Sequence, residues 1–228
     1  PHREVSFAAP TGNFGDILAG WVAKRMGLPV ARLSIATNAN DILARTLESG
    51  VYETCGVTPT QSPSMDIQVS SNFERLLFEA LGRDAASVRA LMGALAQSGR
   101  FEIPAAALSA IRAEFDASTL DEEGTTNEIA RVYREAGYIM DPHTACGVAA
   151  ARKLLAADPA TPAIALSTAH PAKFPDAVRR AIGVAAPLPA HLAHLMDAPE
   201  TMTRLANDQT AVENFVRAHA RITRGAAA

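Results

Sequence analysis

Val5-Ser6-Phe7-Ala8-Ala9-Pro10-Thr11-Gly12-Asn13-Phe14-Gly15-Asp16 is the stretch whose reading decides the fold. Val5 to Ala9 is an apolar run closed by Pro10, which suits a buried strand. Thr11 to Gly15 reads as a loop, and Asp16 can cap the helix that follows. Leu18, Trp21, Val22 and Met26 recur at three- and four-residue steps, which predicts a helix burying that face. Gly27 ends the helix, with Pro29 just beyond, and Val30 to Ala36 returns as a strand. Strand, loop, helix and strand in so short a span predict a right-handed βαβ unit and hence a parallel sheet.

Further along, Asp41 to Leu47 reads as a second helix, and Val57 to Ser71 as an ordered loop beside a site or on the surface. From about 72 to 136 the sequence is mainly helical, with Phe73, Leu76, Leu77 and Leu81 on one face, then Val88, Leu91 and Leu95. Ile103-Pro104 begins a helix running through Phe115, and Thr125 to Ala136 forms another. This segment is expected to be an insertion in the α/β domain, because βα patterning resumes after it. Met140 to Thr144 turns into a helix ending near Ala156, and Ala163 to Ser167 is a further strand. Pro175 lies in the first turn of a helix that runs to Ile182. Two amphipathic helices are expected in the tail, about 187–228, which ends in a frayed Gly-Ala-Ala-Ala.

Composition restricts the functional classes. With 228 residues, a near-half share of apolar residues and one fifth charged, the chain is a globular α/β candidate. A net charge of -3 gives no electrostatic reason to expect nucleic acid or an anionic membrane as a partner. No apolar run approaches the eighteen or so residues a membrane span needs. Cys55 and Cys146 are too few and too far apart for a disulfide framework or a metal site, and read as two buried thiols of a cytoplasmic protein. No signal peptide is read in Pro1-His2-Arg3-Glu4; the opening without methionine suggests a processed chain or part of a longer one.

Two polar loops carry the chemistry. Thr11 to Asp16 lies between a strand and a helix N-terminus, where converging backbone N–H groups can hold a phosphate and Asn13 can add a side-chain donor. It matches neither a dinucleotide fingerprint nor a nucleotide P-loop, and an ordinary glycine-rich turn reads equally well from these residues alone. Ser167-Thr168-Ala169-His170-Pro171-Ala172-Lys173-Phe174 gathers two hydroxyls, an imidazole and an amine at another strand end. Taken singly, His170 is better explained by satisfying loop backbone, and Lys173 by facing solvent. On strands of one parallel sheet, both loops would open on the same edge.

The words Pro10-Thr11-Gly12-Asn13-Phe14-Gly15-Asp16, Ala36-Thr37-Asn38-Ala39-Asn40-Asp41 and Ser167 to Phe174 resemble, in this order and spacing, those of threonine synthases. Ser64-Met65-Asp66-Ile67 and Asp141-Pro142-His143-Thr144-Ala145 fit the same family, and the likeness covers essentially the whole chain. It implies the C-terminal portion of a tryptophan-synthase-β-like, fold-type II enzyme that depends on pyridoxal 5'-phosphate. The implied reaction, part of threonine biosynthesis, is that of a lyase taking O-phospho-L-homoserine and water to L-threonine and phosphate. By resemblance the cofactor phosphate falls to Gly12, Asn13, Phe14 and Gly15, with Asp16 adjoining, and the pyridine nitrogen to the Thr168 hydroxyl. Asn38, His170 and Lys173 are implied only as site-lining residues.

The family's Schiff-base lysine and the segment gripping the substrate phosphate are expected upstream, in an N-terminal half that would be this chain's partner. Lys24 and Lys153 read as surface charges, and Lys173 is a different position from the family's lysine, so no catalytic residue is assigned here. Alone, such a chain is expected to be inactive, persisting beside its other half, as a compact proteolytic core or as a symmetric dimer. Serine or threonine dehydratases and cysteine synthases share the Gly-Asn loop but not the Thr168 to Phe174 word. A non-catalytic module holding a phosphate ligand is the reading from another class.

Overall fold

The computed structural model describes residues 3–220. The opening Pro1-His2 and the closing Gly-Ala-Ala-Ala lie outside the described residues. The described residues divide into two compact units at Pro187/Leu188.

In the first unit the βαβ start is as the sequence dictates: β1 (Val5–Pro10), α1 (Gly15–Arg25) and β2 (Val30–Thr37), with β1 and β2 parallel. Then come α2 (Ile42–Ser49), β3 (Val51–Glu53), α3 (Phe73–Ala80), α4 (Ala85–Ser98), β4 (Arg100–Glu102), α5 (Ala105–Glu114), β5 (Phe115–Thr119) and α6 (Glu122–Ala136). Helix α7 (Pro142–Ala157), β6 (Ala163–Ala165) and α8 (Pro175–Ile182) complete it. The main sheet has the order β5-β2-β1-β6 with all pairings parallel, so its four C-terminal ends share one edge. This is an α/β fold, a parallel sheet flanked by helices.

Four details depart from the sequence reading. The helix expected to run through Phe115 stops at Glu114, and Phe115 starts a strand paired with β2 from Leu33↔Phe115 to Thr37↔Thr119. The segment 72–136 therefore contributes a strand to the main sheet, and β4 pairs antiparallel with β3 beside it. No turn residue separates α5 from β5, which is why hydrophobic periodicity alone runs past the junction. In α1, Ile17 is the buried residue and Leu18 and Trp21 are partly covered, whereas Val22 and Met26 are exposed. An apolar stripe shows which face is apolar, not what covers it. Cys146 is buried as expected but Cys55 is exposed, and Lys24 is half-buried and paired with Glu114 at 3.4 Å instead of being free in solvent.

The core places an aromatic ladder beneath the sheet edge. Phe101 stacks on Tyr52 (centroids 4.9 Å apart), Tyr52 on Phe73 (5.5 Å), and Phe73 meets Phe14 edge-on (5.4 Å), which leans on Phe115 (5.8 Å). Such pairs add about 0.5–1.5 kcal/mol each beyond their burial. Since Phe14 sits in the loop after β1, the ladder fixes that loop to the core.

The second unit, taken by itself, holds a 3-10 segment (Ala190–Met196) and α9 (Gln209–His219), the latter capped by Asp208 accepting from the Ala211 amide. Of the two tail helices expected, one is α-helical. Among the described residues no helix is long and apolar enough to cross a membrane.

Candidate cofactor site

At the end of β1, Thr11 is locked by its amide donating to Ala36 O (2.8 Å) and its hydroxyl to Ala9 O (2.6 Å). The chain then curls so tightly that a Cβ on Gly12 would lie 3.0 Å from Met65 Cα and 3.1 Å from the Ser64 carbonyl oxygen. Phe14 adopts a left-handed conformation (φ 63°, ψ 18°), costing a non-glycine residue about 1–2 kcal/mol. Full burial of its ring holds it there. Phe14, not Asp16, is the N-cap of α1, and it gives no side-chain cap; Asp16 is an exposed residue of the first turn. The first-turn amides of a helix have no intrahelical acceptor, and here none of the capping oxygens that usually take them is present. Tight glycine, buried aromatic anchor and uncapped helix N-terminus make a cradle suited to a phosphate.

A second loop braces this one. The Ser70 hydroxyl donates to Gly12 O (2.8 Å), and the Asn72 amide (3.1 Å) and side-chain Nδ2 (2.9 Å) both donate to Asn13 O. The Ser71 hydroxyl donates to Asn13 Oδ1 at 3.3 Å, which leaves the Nδ2 group of this exposed residue as a donor toward a ligand. Beneath it, the Ser70 amide donates to the Tyr52 hydroxyl (2.8 Å), and burial pushes that phenol's pKa up.

Asn38, at the end of β2, is buried and spent on structure. Its Nδ2 lies 2.8 Å from both Thr60 Oγ1 and Asp66 Oδ1, and its Oδ1 accepts from the Asn40 amide at 2.8 Å. The network shapes residues 58–66, whose Ser64 presses on Gly12.

The other loop leaves the end of β6, the strand parallel to β1 with Ala8 opposite Ala165. Neighbouring strands lie about 4.8 Å apart, so the cradle and the Ser167–Phe174 loop emerge side by side. Thr168 is exposed there, with its hydroxyl available. His170 caps a 3-10 turn (Pro171–Lys173), its Nδ1 accepting from the Ala172 amide at 3.2 Å. Lys173 is exposed, its Nζ 5.9 Å from the Phe174 ring centre, and with Gln61, Asp176 and Arg180 it lines a cavity of about 260 Å³. Thr168 and the cradle thus share one edge, while His170 is engaged locally.

The group at the start of α7 carries no role that its local sequence assigns. Asp141, fully buried, caps the helix and accepts from the amides of His143 (2.8 Å) and Thr144 (3.4 Å), from the Thr144 hydroxyl, and from His143 Nδ1 (2.9 Å). Burial alone would raise its pKa, but the hydrogen bonds from His143 and Thr144 outweigh it and hold the carboxyl below its usual range. His143 Nε2 accepts from the Ser64 amide at 3.3 Å, and its ring packs on Phe174 at 4.7 Å. The hydroxyls of Thr144 and Ser167 lie 3.4 Å apart. Asp141-Pro142 marks a helix start in sequence, but nothing local reveals that His143 turns inward.

Comparison with known proteins shows which proteins the chain is similar to. Residues 144–216 match the family model described as threonine synthase, C-terminal. The threonine synthase of Pseudomonas aeruginosa is 48% identical over 220 residues, covering 96% of this chain and 47% of that protein. A crystal structure of pyridoxal-phosphate-bound threonine synthase from Brucella melitensis superposes with a TM-score of 0.89 at 59% identity, over 97% of this chain and 47% of that one. Threonine synthase from yeast superposes at 0.81 with 38% identity, over 94% and 47%. The chain spans about half the length of the relatives it matches.

Proposed function

Since this chain belongs to the threonine synthase family, matching the C-terminal part of its members, we propose that it supplies the cofactor-holding loops of a pyridoxal-phosphate enzyme. The observation that carries the reading is the juxtaposition, on adjacent parallel strands, of the uncapped Gly12–Gly15 cradle and the exposed Thr168 hydroxyl. The amides of Gly15 and Asp16 and the Nδ2 of Asn13 donate to the cofactor phosphate. Phe14 contributes its backbone, its ring being buried. Asp16 takes part through its amide, because its carboxylate would repel a phosphate dianion; that carboxylate instead complements the helix N-terminus. Thr168 would hydrogen-bond the ring nitrogen, and a neutral hydroxyl there would leave that nitrogen unprotonated. When bound, the cofactor is the electron sink for loss of protons beside the amino group and departure of the γ-phosphate.

The substrate is O-phospho-L-homoserine, taken with water to L-threonine and phosphate in threonine biosynthesis, in the cytoplasm. The Schiff-base lysine belongs to the half of the relatives that this chain does not match. Here Lys24 is paired with Glu114, while Lys153 and Lys173 are exposed, Lys173 with its amine against Phe174. None is enclosed in a buried pocket beside the two cofactor-holding loops. The chain alone is accordingly inactive and acts with that other half. A substrate panel on the protein carrying both halves is the test: phosphate release from O-phospho-L-homoserine supports the reading. Turnover of serine without O-phospho-L-homoserine sinks it in favour of a dehydratase or cysteine synthase.

A further inference from the structure

Gly12 and Thr168 lie in loops that follow different strands, yet one cofactor must touch both loops at once. What holds the loops in a fixed relation is a buried polar chain that reaches neither ligand position itself. At its centre, the Ser64 amide needs an acceptor and finds His143 Nε2 at 3.3 Å, so the ring's proton sits on Nδ1, facing Asp141 Oδ1 at 2.9 Å. Asp141, at the N-terminus of α7, also receives two amides and the Thr144 hydroxyl. Every buried polar side-chain atom among the described residues has a partner, so the chain is a satisfied network of the kind that rigidifies.

From that centre three contacts reach the two loops. The Ser64–Met65 backbone, its Ser64 amide held by His143, stands close behind Gly12: a Cβ there would lie 3.0 Å from Met65 Cα and 3.1 Å from the Ser64 carbonyl oxygen. Thr144 meets Ser167, the residue before Thr168, with the hydroxyls 3.4 Å apart. The His143 ring packs on Phe174 at 4.7 Å, at the far end of the same loop. Both ends of the Thr168 loop and the rear of the phosphate cradle are thereby tied to one imidazole–carboxylate pair.

We propose that the buried Asp141–His143 pair is a positioning device that sets the relation between the phosphate cradle after β1 and the Thr168 loop after β6, so that both engage one ligand. The inference deepens, and depends on, the pyridoxal-phosphate reading above. The pair holds residues that touch the cofactor and touches none of the reacting atoms, in the manner of partners that orient metal ligands.

The test uses the protein carrying both halves, its H143N and T144V variants, and pyridoxal 5'-phosphate as probe. H143N keeps a donor toward Asp141 and removes the acceptor of the Ser64 amide. T144V replaces the hydroxyl between Asp141 and Ser167 with a methyl. We expect the cofactor dissociation constant to rise about tenfold in each, as for other groups that orient a ligand-binding residue. In H143N the phosphorus-31 resonance of the bound cofactor shifts, whereas in T144V the ring absorption shifts and the phosphorus resonance stays. Without cofactor, amide hydrogen exchange speeds up in 11–17 and 167–174 ahead of the rest of the chain. Affinity within twofold of wild type, with exchange and both signals unmoved in folded variants, overturns the proposal. So does a lower melting temperature as the sole change, which is a structural role alone. Should H143N not fold, the near-isosteric T144V decides. If the unsubstituted protein binds no pyridoxal phosphate, the functional reading fails, and the exchange pattern still decides the tether.

Discussion

Gly12 lies in the loop after β1 and Gly15 opens α1 three residues on; alanine at the first is expected to cost stability, and at the second to cost binding but not stability. At Gly12 the new Cβ would meet Met65 Cα at 3.0 Å, the Ser64 carbonyl oxygen at 3.1 Å and Ile67 Cδ1 at 3.1 Å. Two of these are backbone atoms that cannot swing away, so the cost is that of overpacking, about 1–3 kcal/mol. At roughly 2–4 °C per kcal/mol for a chain of this size, G12A melts several degrees lower. At Gly15 the nearest atom is Asn72 Nδ2 at 3.9 Å, and φ is not positive, so nothing in the fold requires glycine there. G15A should therefore be neutral or gain about 0.4–1 kcal/mol from a stiffer unfolded chain. In the proposed cradle, however, its methyl would crowd a phosphate at the first-turn amides. Losing one charge-assisted hydrogen bond, worth about 1.5–3 kcal/mol, weakens cofactor binding roughly 10- to 150-fold. Thermal unfolding by circular dichroism and a fluorescence titration with pyridoxal phosphate read the two effects separately. G15A binding as tightly as the unsubstituted protein would refute the cradle, and G12A melting unchanged would refute the packing argument.

Three further outcomes are expected. Y52F removes the acceptor of the buried Ser70 amide, costing about 1–3 kcal/mol in denaturant unfolding and loosening the 70–72 brace on Asn13, seen as faster amide exchange there. Asp141 has a folded pKa below its unfolded one, so its stabilisation is present above the unfolded value near pH 4 and is lost as pH falls through the folded value; in D141N that acid-side slope disappears from a stability–pH curve. The Cys146 thiol, pushed up to about 12 by burial, stays neutral, so iodoacetamide at pH 8 should alkylate exposed Cys55 alone, as peptide mass mapping would report. The same upward shift means Cys146 stabilises fully below about pH 8.5 and that contribution is lost as pH rises toward about 12.

The β1–α1–β2 start was legible because each element carries its own signal: an apolar run, a glycine-bounded loop and a three-to-four periodicity. The helix starts at Asp141-Pro142 and Pro175 were legible for the same reason. β5 was not, since Phe115–Thr119 is five residues long and abuts a helix with no turn between them. The cradle and Thr168 are local words in the sequence, so they could be named from it. Asn38 is a local word too, but its amide is consumed by Thr60, Ser62 and Asp66, contacts that exist only after loop 58–66 folds back. His143 lies 79 residues from the Ser64 amide it accepts, a separation that no periodicity reports.

The central claim is that these two loops hold a pyridoxal-phosphate cofactor whose lysine anchor lies outside this chain. An absorbance spectrum of the protein carrying both halves, with and without borohydride, followed by mapping of the labelled lysine, tests it most directly. A borohydride-sensitive band of bound cofactor and a label on a lysine of the other half are expected. A label on Lys24, Lys153 or Lys173, or no cofactor band at all, would contradict it.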